Sequence, residues 1–135
     1  MDLKDAEVLV TRYADAMRAQ DIDTIMSLYA AHATVEDPVG TPAREGADAI
    51  RAFYSLAMQS SIDMQRTGAV RFTGGALAFP FRATIGGGER IIEGIDVFEL
   101  DETHKIVSMK AFFGPENVIV DEHGKRPPGY ARRGE

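Results

Sequence analysis

The hydrophobic pattern of this chain changes period once, near Met64, and that change restricts the fold more than any other feature. Before it, apolar residues recur every three or four positions; after it, they alternate. Leu3, Ala6, Val10, Tyr13 and Met17 mark one stripe of a first helix. Asp21 is placed to cap a second helix, in which Ile22, Ile25, Met26 and Tyr29 fall at i, i+3, i+4 and i+7. After a Pro/Gly-rich connection to Gly46, Ile50, Phe53, Tyr54 and Ala57 repeat the spacing in a third. From Met64 onward four strand-like segments follow with no further helical pattern, so the expected class is α+β.

Two carboxylates stand out against these patterns. In Thr34-Val35-Glu36-Asp37-Pro38-Val39-Gly40 an alternating run ends at a carboxylate followed by Pro and Gly. On a strand Ala33, Val35 and Asp37 share the inward face, and Pro38 biases Asp37 toward extended backbone. Asp37 is then either a general base aimed at an apolar interior or an acid that caps its own turn. Farther on, Ile92, Gly94, Asp96, Phe98 and Leu100 share a face that carries no lysine or arginine. Burial there raises the pKa of Asp96 and favours a neutral, hydrogen-donating acid, whereas a one-residue slip would turn it outward. The segment before it places Leu77, Phe79, Phe81, Ala83 and Ile85 on one face and ends at Gly86-Gly87-Gly88, a hairpin turn without the GxxxxGK[ST] frame of a phosphate loop. The last strand, Lys105 to Phe113, presents Val107, Met109, Ala111 and Phe113 together.

Tyr13, Tyr29 and Tyr54 all ride on apolar stripes. Each is either a core residue with an incidental hydrogen bond or, taken with a buried acid, part of a shared network. The chain has no cysteine, which removes disulfides, thiolate nucleophiles and Cys-ligated metals. His32, His104 and His123 show no metal-ligand spacing, so no metal is expected. A formal net charge of −6 argues against nucleic acid. No apolar run approaches the ~20 residues of a membrane span, and the polar, acidic start lacks the pattern of a signal peptide, which together predict a cytoplasmic protein.

The order of these pieces resembles a known family. Tyr13, Tyr-Ala-x-x-Ala-Thr-Val-Glu-Asp-Pro-x-Gly, Gly-x-x-x-Ile-x-x-Phe-Tyr, Pro-Phe-Arg, Ile-Asp-Val and a closing aromatic pair are similar to the Δ5-3-ketosteroid isomerases of the nuclear transport factor 2-like superfamily, over about residues 9 to 118. The resemblance implies a cone in which a curved, antiparallel-rich sheet packs against three N-terminal helices, formed by residues 1–120; residues 121–135 lack apolar periodicity and have no counterpart in the family, and they are expected to form a mobile tail. It implies a homodimer joined through the open sheet face, a small apolar steroid as substrate, and no cofactor.

Carried over residue by residue, Asp37 resembles the family's base, and Tyr13 and Asp96 its oxyanion-hole donors. That family is itself a standard example of a carboxylic acid kept neutral at pH 7 so that it can donate a hydrogen bond. Tyr29 and Tyr54 match the tyrosines that hydrogen-bond in series behind the catalytic one. Phe53, Phe79, Phe81, Met109 and Phe113 are wall candidates, and each is equally a good core residue. Phe113 stands where some members carry Trp, and Phe79 where others carry Met; both exchanges remain apolar. Two other readings share the fold: a non-catalytic ligand-binding cone, and another small-molecule lyase or cyclase that keeps an Asp base without the paired Tyr and Asp donors.

Overall fold

A computed structural model describes residues 1–120; residues 121–135, expected to form a mobile tail, lie outside the described residues. Helix α1 (Leu3–Ala19) begins with a reciprocal cap. The Asp2 carboxylate accepts the Asp5 N–H at 2.9 Å and the Asp5 carboxylate accepts the Asp2 N–H at 3.1 Å, satisfying donors that a helix start leaves open. Ala6, Val10, Tyr13 and Met17 are buried as their spacing requires. Leu3, expected on the same stripe, is 49% exposed, because the stripe runs off the core at the first turn.

Helix α2 (Ile22–Ser27) is capped by Asp21, which accepts the Thr24 N–H at 3.1 Å. It is shorter than its pattern suggested. Tyr29 does not continue the helix but opens strand β1 (Tyr29–Glu36), where it pairs with Ile106; the Ile106 N–H donates to the Leu28 carbonyl at 2.8 Å. Sheet pairing claims this backbone from a six-residue helix that has little cooperative strength of its own. Tyr29 stays buried all the same. Helix α3 (Ala47–Ala57) buries Ile50 and Tyr54.

The remaining strands are β2 (Arg44–Glu45), β3 (Ile62–Arg66), β4 (Arg71–Thr73), β5 (Ala76–Ile85), β6 (Arg90–Leu100), β7 (Ile106–Phe112) and β8 (Val118–Val120). Among the described residues six strands therefore follow the third helix, where four segments were expected. The additional β4 and β8 span three residues each, too short for alternation to show. The sheet is open and mixed, in the order β2-β1-β7-β6-β5-β3, with β4 beside β5 and β8 beside β6. Among these strands of the described residues, only β1 and β7 pair in parallel. This matches the α+β cone expected from the sequence.

The core lies between the helices and the inward sheet face. Leu77, Phe79, Phe81 and Ala83 of β5 and Phe98 of β6 are buried there, each large apolar side chain contributing about 1.5–3 kcal/mol. One register detail differs from strict alternation. Glu99 pairs with Ser108 but Leu100 with Ile106, so Val107 is skipped; Ile106 takes the fully buried place expected for Val107. Among the described residues no helix is long and apolar enough to cross a membrane.

Candidate active site

A cavity of about 270 Å³ opens between the helices and the sheet, lined by Tyr13 and Met17 of α1, Asp37, Phe53 and Tyr54 of α3, Met64, Phe81, Asp96, Phe113 and further apolar residues. Its size lies just below the ~300–1,000 Å³ usual for small-molecule sites, and its walls are mainly apolar. A larger groove of about 440 Å³ beside Val8, Leu9, Arg12 and Lys105 contains none of the buried acids or tyrosines.

The three tyrosines form one chain of hydroxyls. Tyr54 lies in the middle, 2.9 Å from the Tyr13 hydroxyl and 2.5 Å from that of Tyr29. All three are buried, and burial pushes each phenol well above its ordinary pKa, so they remain neutral donors. Their rings are fixed by edge-on contacts, Tyr13 against Phe98 at 5.1 Å and Tyr54 against Phe53 at 5.0 Å. Tyr13 faces the cavity, and Tyr29 stands behind Tyr54 without lining it.

Asp96 is 1% exposed and is the single charged-type side chain in the buried set among the described residues. Its Oδ2 is buried without a hydrogen-bond partner. Burial, reinforced by the charge of Asp37, raises its pKa well above the carboxylate range, so it stands neutral with a proton to donate. Strand β6 begins at Arg90, which corrects one expectation: a cation does share the face of Asp96, but six residues away at the far end of the strand.

Asp37 follows directly on β1, after the buried Ala33 and Val35. The turn beyond it is held by the Thr41 N–H and Oγ1, which donate to the Pro38 carbonyl at 3.1 and 2.7 Å. Gly40 sits at φ 102, a conformation that suits glycine. The Val39 N–H then donates to the Ala111 carbonyl on β7 at 2.8 Å, and Ala111 is the register partner of Asp96. Burial lifts the Asp37 pKa to about 6, and the positive charge of Arg44 restrains the rise.

Arg44 is a contributor the sequence reading missed. It pairs with Val35 from the two-residue β2, and its guanidinium lies 4.7 Å over the Phe53 ring. Its Nη1 is buried without a partner, and no contact ion pair joins it to Asp37 among the described residues. A two-residue strand carries no periodicity to reveal such a placement.

Of the wall candidates, Phe53, Phe81 and Phe113 line the cavity. Phe79 and Met109 do not; both are 1% exposed in the core, where Phe79 meets the Phe98 ring edge-on at 5.4 Å. Alternation places a residue on the inward face but does not say whether a helix or an open space covers it. Phe81 owes its position to Gly94, its partner across β5 and β6. A Cβ at position 94 would come within 3.1 Å of the Phe81 ring and 2.7 Å of the Phe112 carbonyl.

Residues 10–109 match the SnoaL-like domain. The chain belongs to the SnoaL-like family. A steroid Delta-isomerase of Nocardioides simplex is 36% identical over 118 residues, which are 86% of this chain and 95% of that protein. Among solved structures, the epoxide hydrolase/cyclase-like enzyme SalBIII, described in pyran ring formation in the polyether salinomycin, aligns with a TM-score of 0.81 at 27% identity, covering 88% of this chain and 98% of its own. A computationally designed 17-OHP binder aligns at 0.76 and 14% identity, covering 84% of this chain and 93% of its own; that likeness concerns the fold alone. The SnoaL-like fold thus carries both isomerase and cyclase relatives.

Proposed function

We propose that this protein is a steroid Δ-isomerase that moves the Δ5 double bond of a 3-oxo-steroid to Δ4. The observation that carries the reading is the neutral, buried Asp96 with an unpartnered oxygen, set with Tyr13 on the same cavity as an ionisable Asp37. The near-full-length similarity to a steroid Delta-isomerase supports it.

In this reading the Asp37 carboxylate removes a proton from carbon 4, and the electron pair moves into the ring to leave a dienolate with its negative charge on the 3-oxygen. Tyr13 and protonated Asp96 donate hydrogen bonds to that oxygen, and in a dry site such fixed donors act most strongly where charge develops. Asp37 then returns the proton at carbon 6, leaving the double bond conjugated with the ketone. Tyr54 and Tyr29 act through Tyr13, orienting its hydroxyl and making it a better donor. Phe53, Phe81 and Phe113 flank the flat substrate.

A cyclase is the second reading, favoured by the likeness to SalBIII. It would use an Asp base but has no need of a paired Tyr and neutral Asp. Mixing the purified protein with 5-androstene-3,17-dione and following the absorbance of the conjugated enone decides between them. A rise well above the buffer rate is expected; no acceleration would remove the isomerase reading. Assembly as a homodimer belongs to the same proposal. Ile95 and Phe112 are register partners on the outer sheet face, 47% and 46% exposed, and offer an apolar patch for a second copy.

A further inference from the structure

The cavity differs at its two ends. Tyr13, Asp37 and Asp96 occupy one, and Ile62, Ile85 and Arg90, brought together by the pairing of β3 with β5 and of β5 with β6, occupy the other. Arg90 is the sole cation on the cavity wall among the described residues. Of its nearby acids, Glu93 is engaged elsewhere, accepting from Arg82 Nε at 2.7 Å. No ion pair involves Arg90 among the described residues.

The strand sets the distance. Arg90 and Asp96 project from the same face of β6, six residues apart, which is ~20 Å of extended backbone. A four-ring ketone held by its 3-oxygen at Asp96 ends before the Arg90 backbone. The arginine side chain, which lines the cavity, would then be the group that faces whatever the far ring carries. A guanidinium is suited to a planar anion, which it grips through two parallel hydrogen bonds. The apolar residues around it supply no competing acceptor.

We propose that Arg90 makes this site selective for 3-oxo-steroids that carry a carboxylate on a short side chain at the ring farthest from the 3-oxo group. The inference rests on the isomerase reading and adds the substrate class. It gives Arg90 a role in specificity, apart from the proton transfer at the other end of the cavity.

The test compares a ligand with and without the charge. Calorimetry measures binding of 3-oxopregn-4-ene-20-carboxylate and of its methyl ester to the wild type and to Arg90→Gln, in low salt. The wild type should bind the acid about tenfold more tightly than the ester, a modest effect for a charge-assisted contact because the mouth is solvated. In Arg90→Gln that ratio should fall to about one, and Arg90→Lys should keep part of it. Equal affinities in the wild type, an unchanged ratio in Arg90→Gln, or no binding of either ligand would overturn the proposal. Turnover of 5-androstene-3,17-dione, which has no carboxylate, is scored separately. Its failure would remove the isomerase reading, while a binding ratio that depends on Arg90 would still identify the acid-reading end.

Discussion

Asp37 ionises before Asp96. Both acids line one cavity, but Arg44 restrains the rise at Asp37, whereas at Asp96 the charge on Asp37 adds to an already large effect of burial. The repulsion is felt at the second ionisation: Asp96 is still protonated when Asp37 titrates, so it presents no charge to its neighbour. The two groups therefore reach pH 7 in opposite states, as a base and a hydrogen-bond donor must.

This order predicts the acid side of the pH profile. The base acts only when ionised, so kcat/KM should rise with pH to a plateau, with a single-proton limb at about 6. Replacing Arg44 by Gln removes the cation that lowers the Asp37 pKa, and the limb should move upward. A limb in the ordinary carboxylate range near 4, or one that Arg44→Gln leaves in place, would contradict the assignment.

Asp37→Asn keeps the shape of the side chain and removes its ability to accept a proton. Turnover should fall by ~10²–10⁴, the usual contribution of a general base, with the thermal unfolding transition retained. Near-normal turnover in the folded variant would exclude Asp37 as the base.

Asp96 makes two expectations, one kinetic and one thermodynamic. Asp96→Leu loses a donor and should lower kcat by ~10²–10³, and Asp96→Asn, which retains an N–H, should lose less. An ionised Asp96 would instead make both variants faster than the wild type. For stability, the folded pKa lies above the unfolded one. As pH rises past the unfolded value, the unfolded chain releases its proton while the folded protein holds it, so this group destabilises the fold progressively from about pH 4 upward. Asp96→Asn should therefore gain in melting temperature over the wild type as pH rises from 4 to 8, which thermal scans at several pH values would check.

Tyr54→Phe removes the central hydroxyl and leaves those of Tyr13 and Tyr29 buried without it. Stability should fall by ~1–3 kcal/mol, the cost of leaving buried polar groups unpaired, and kcat should fall less than in Asp96→Leu. An unchanged unfolding midpoint would show that the hydroxyl chain is incidental to packing.

Much of this site could be read from the sequence because its groups lie on long, periodic elements. Tyr13 is on a helix of 17 residues and Asp96 on a strand of 11, where period alone sets the inward face. The exceptions have local causes. Tyr29 belongs to a strand because Ile106, distant in sequence, pairs with it. The pattern of β7 slipped at the bulge, which no count of apolar residues reveals. Phe79 and Met109 face inward as expected, but tertiary packing made them core instead of wall. Arg90 was in reach of the sequence: extending the even positions of Asp96's face back from Ile92 leads directly to it.

Assembly can be tested without substrate. Sedimentation at micromolar concentration should give a dimer, and Phe112→Glu should shift it toward monomer by placing a charge on the exposed patch with Ile95. Monomeric behaviour of the wild type would sink the expectation.

The hydrogen bond from Val39 to Ala111 has a consequence for how such a protein can diverge. It ties the turn after Asp37 to the residue that pairs with Asp96, and it does so through backbone atoms alone. The spacing between the two acids is therefore inherited with the main chain, whatever side chains decorate it. A lineage could exchange the residues at positions 13, 37 and 96 one at a time and keep a pocket onto which the same three backbone positions open. New chemistry would then need new groups but no new frame.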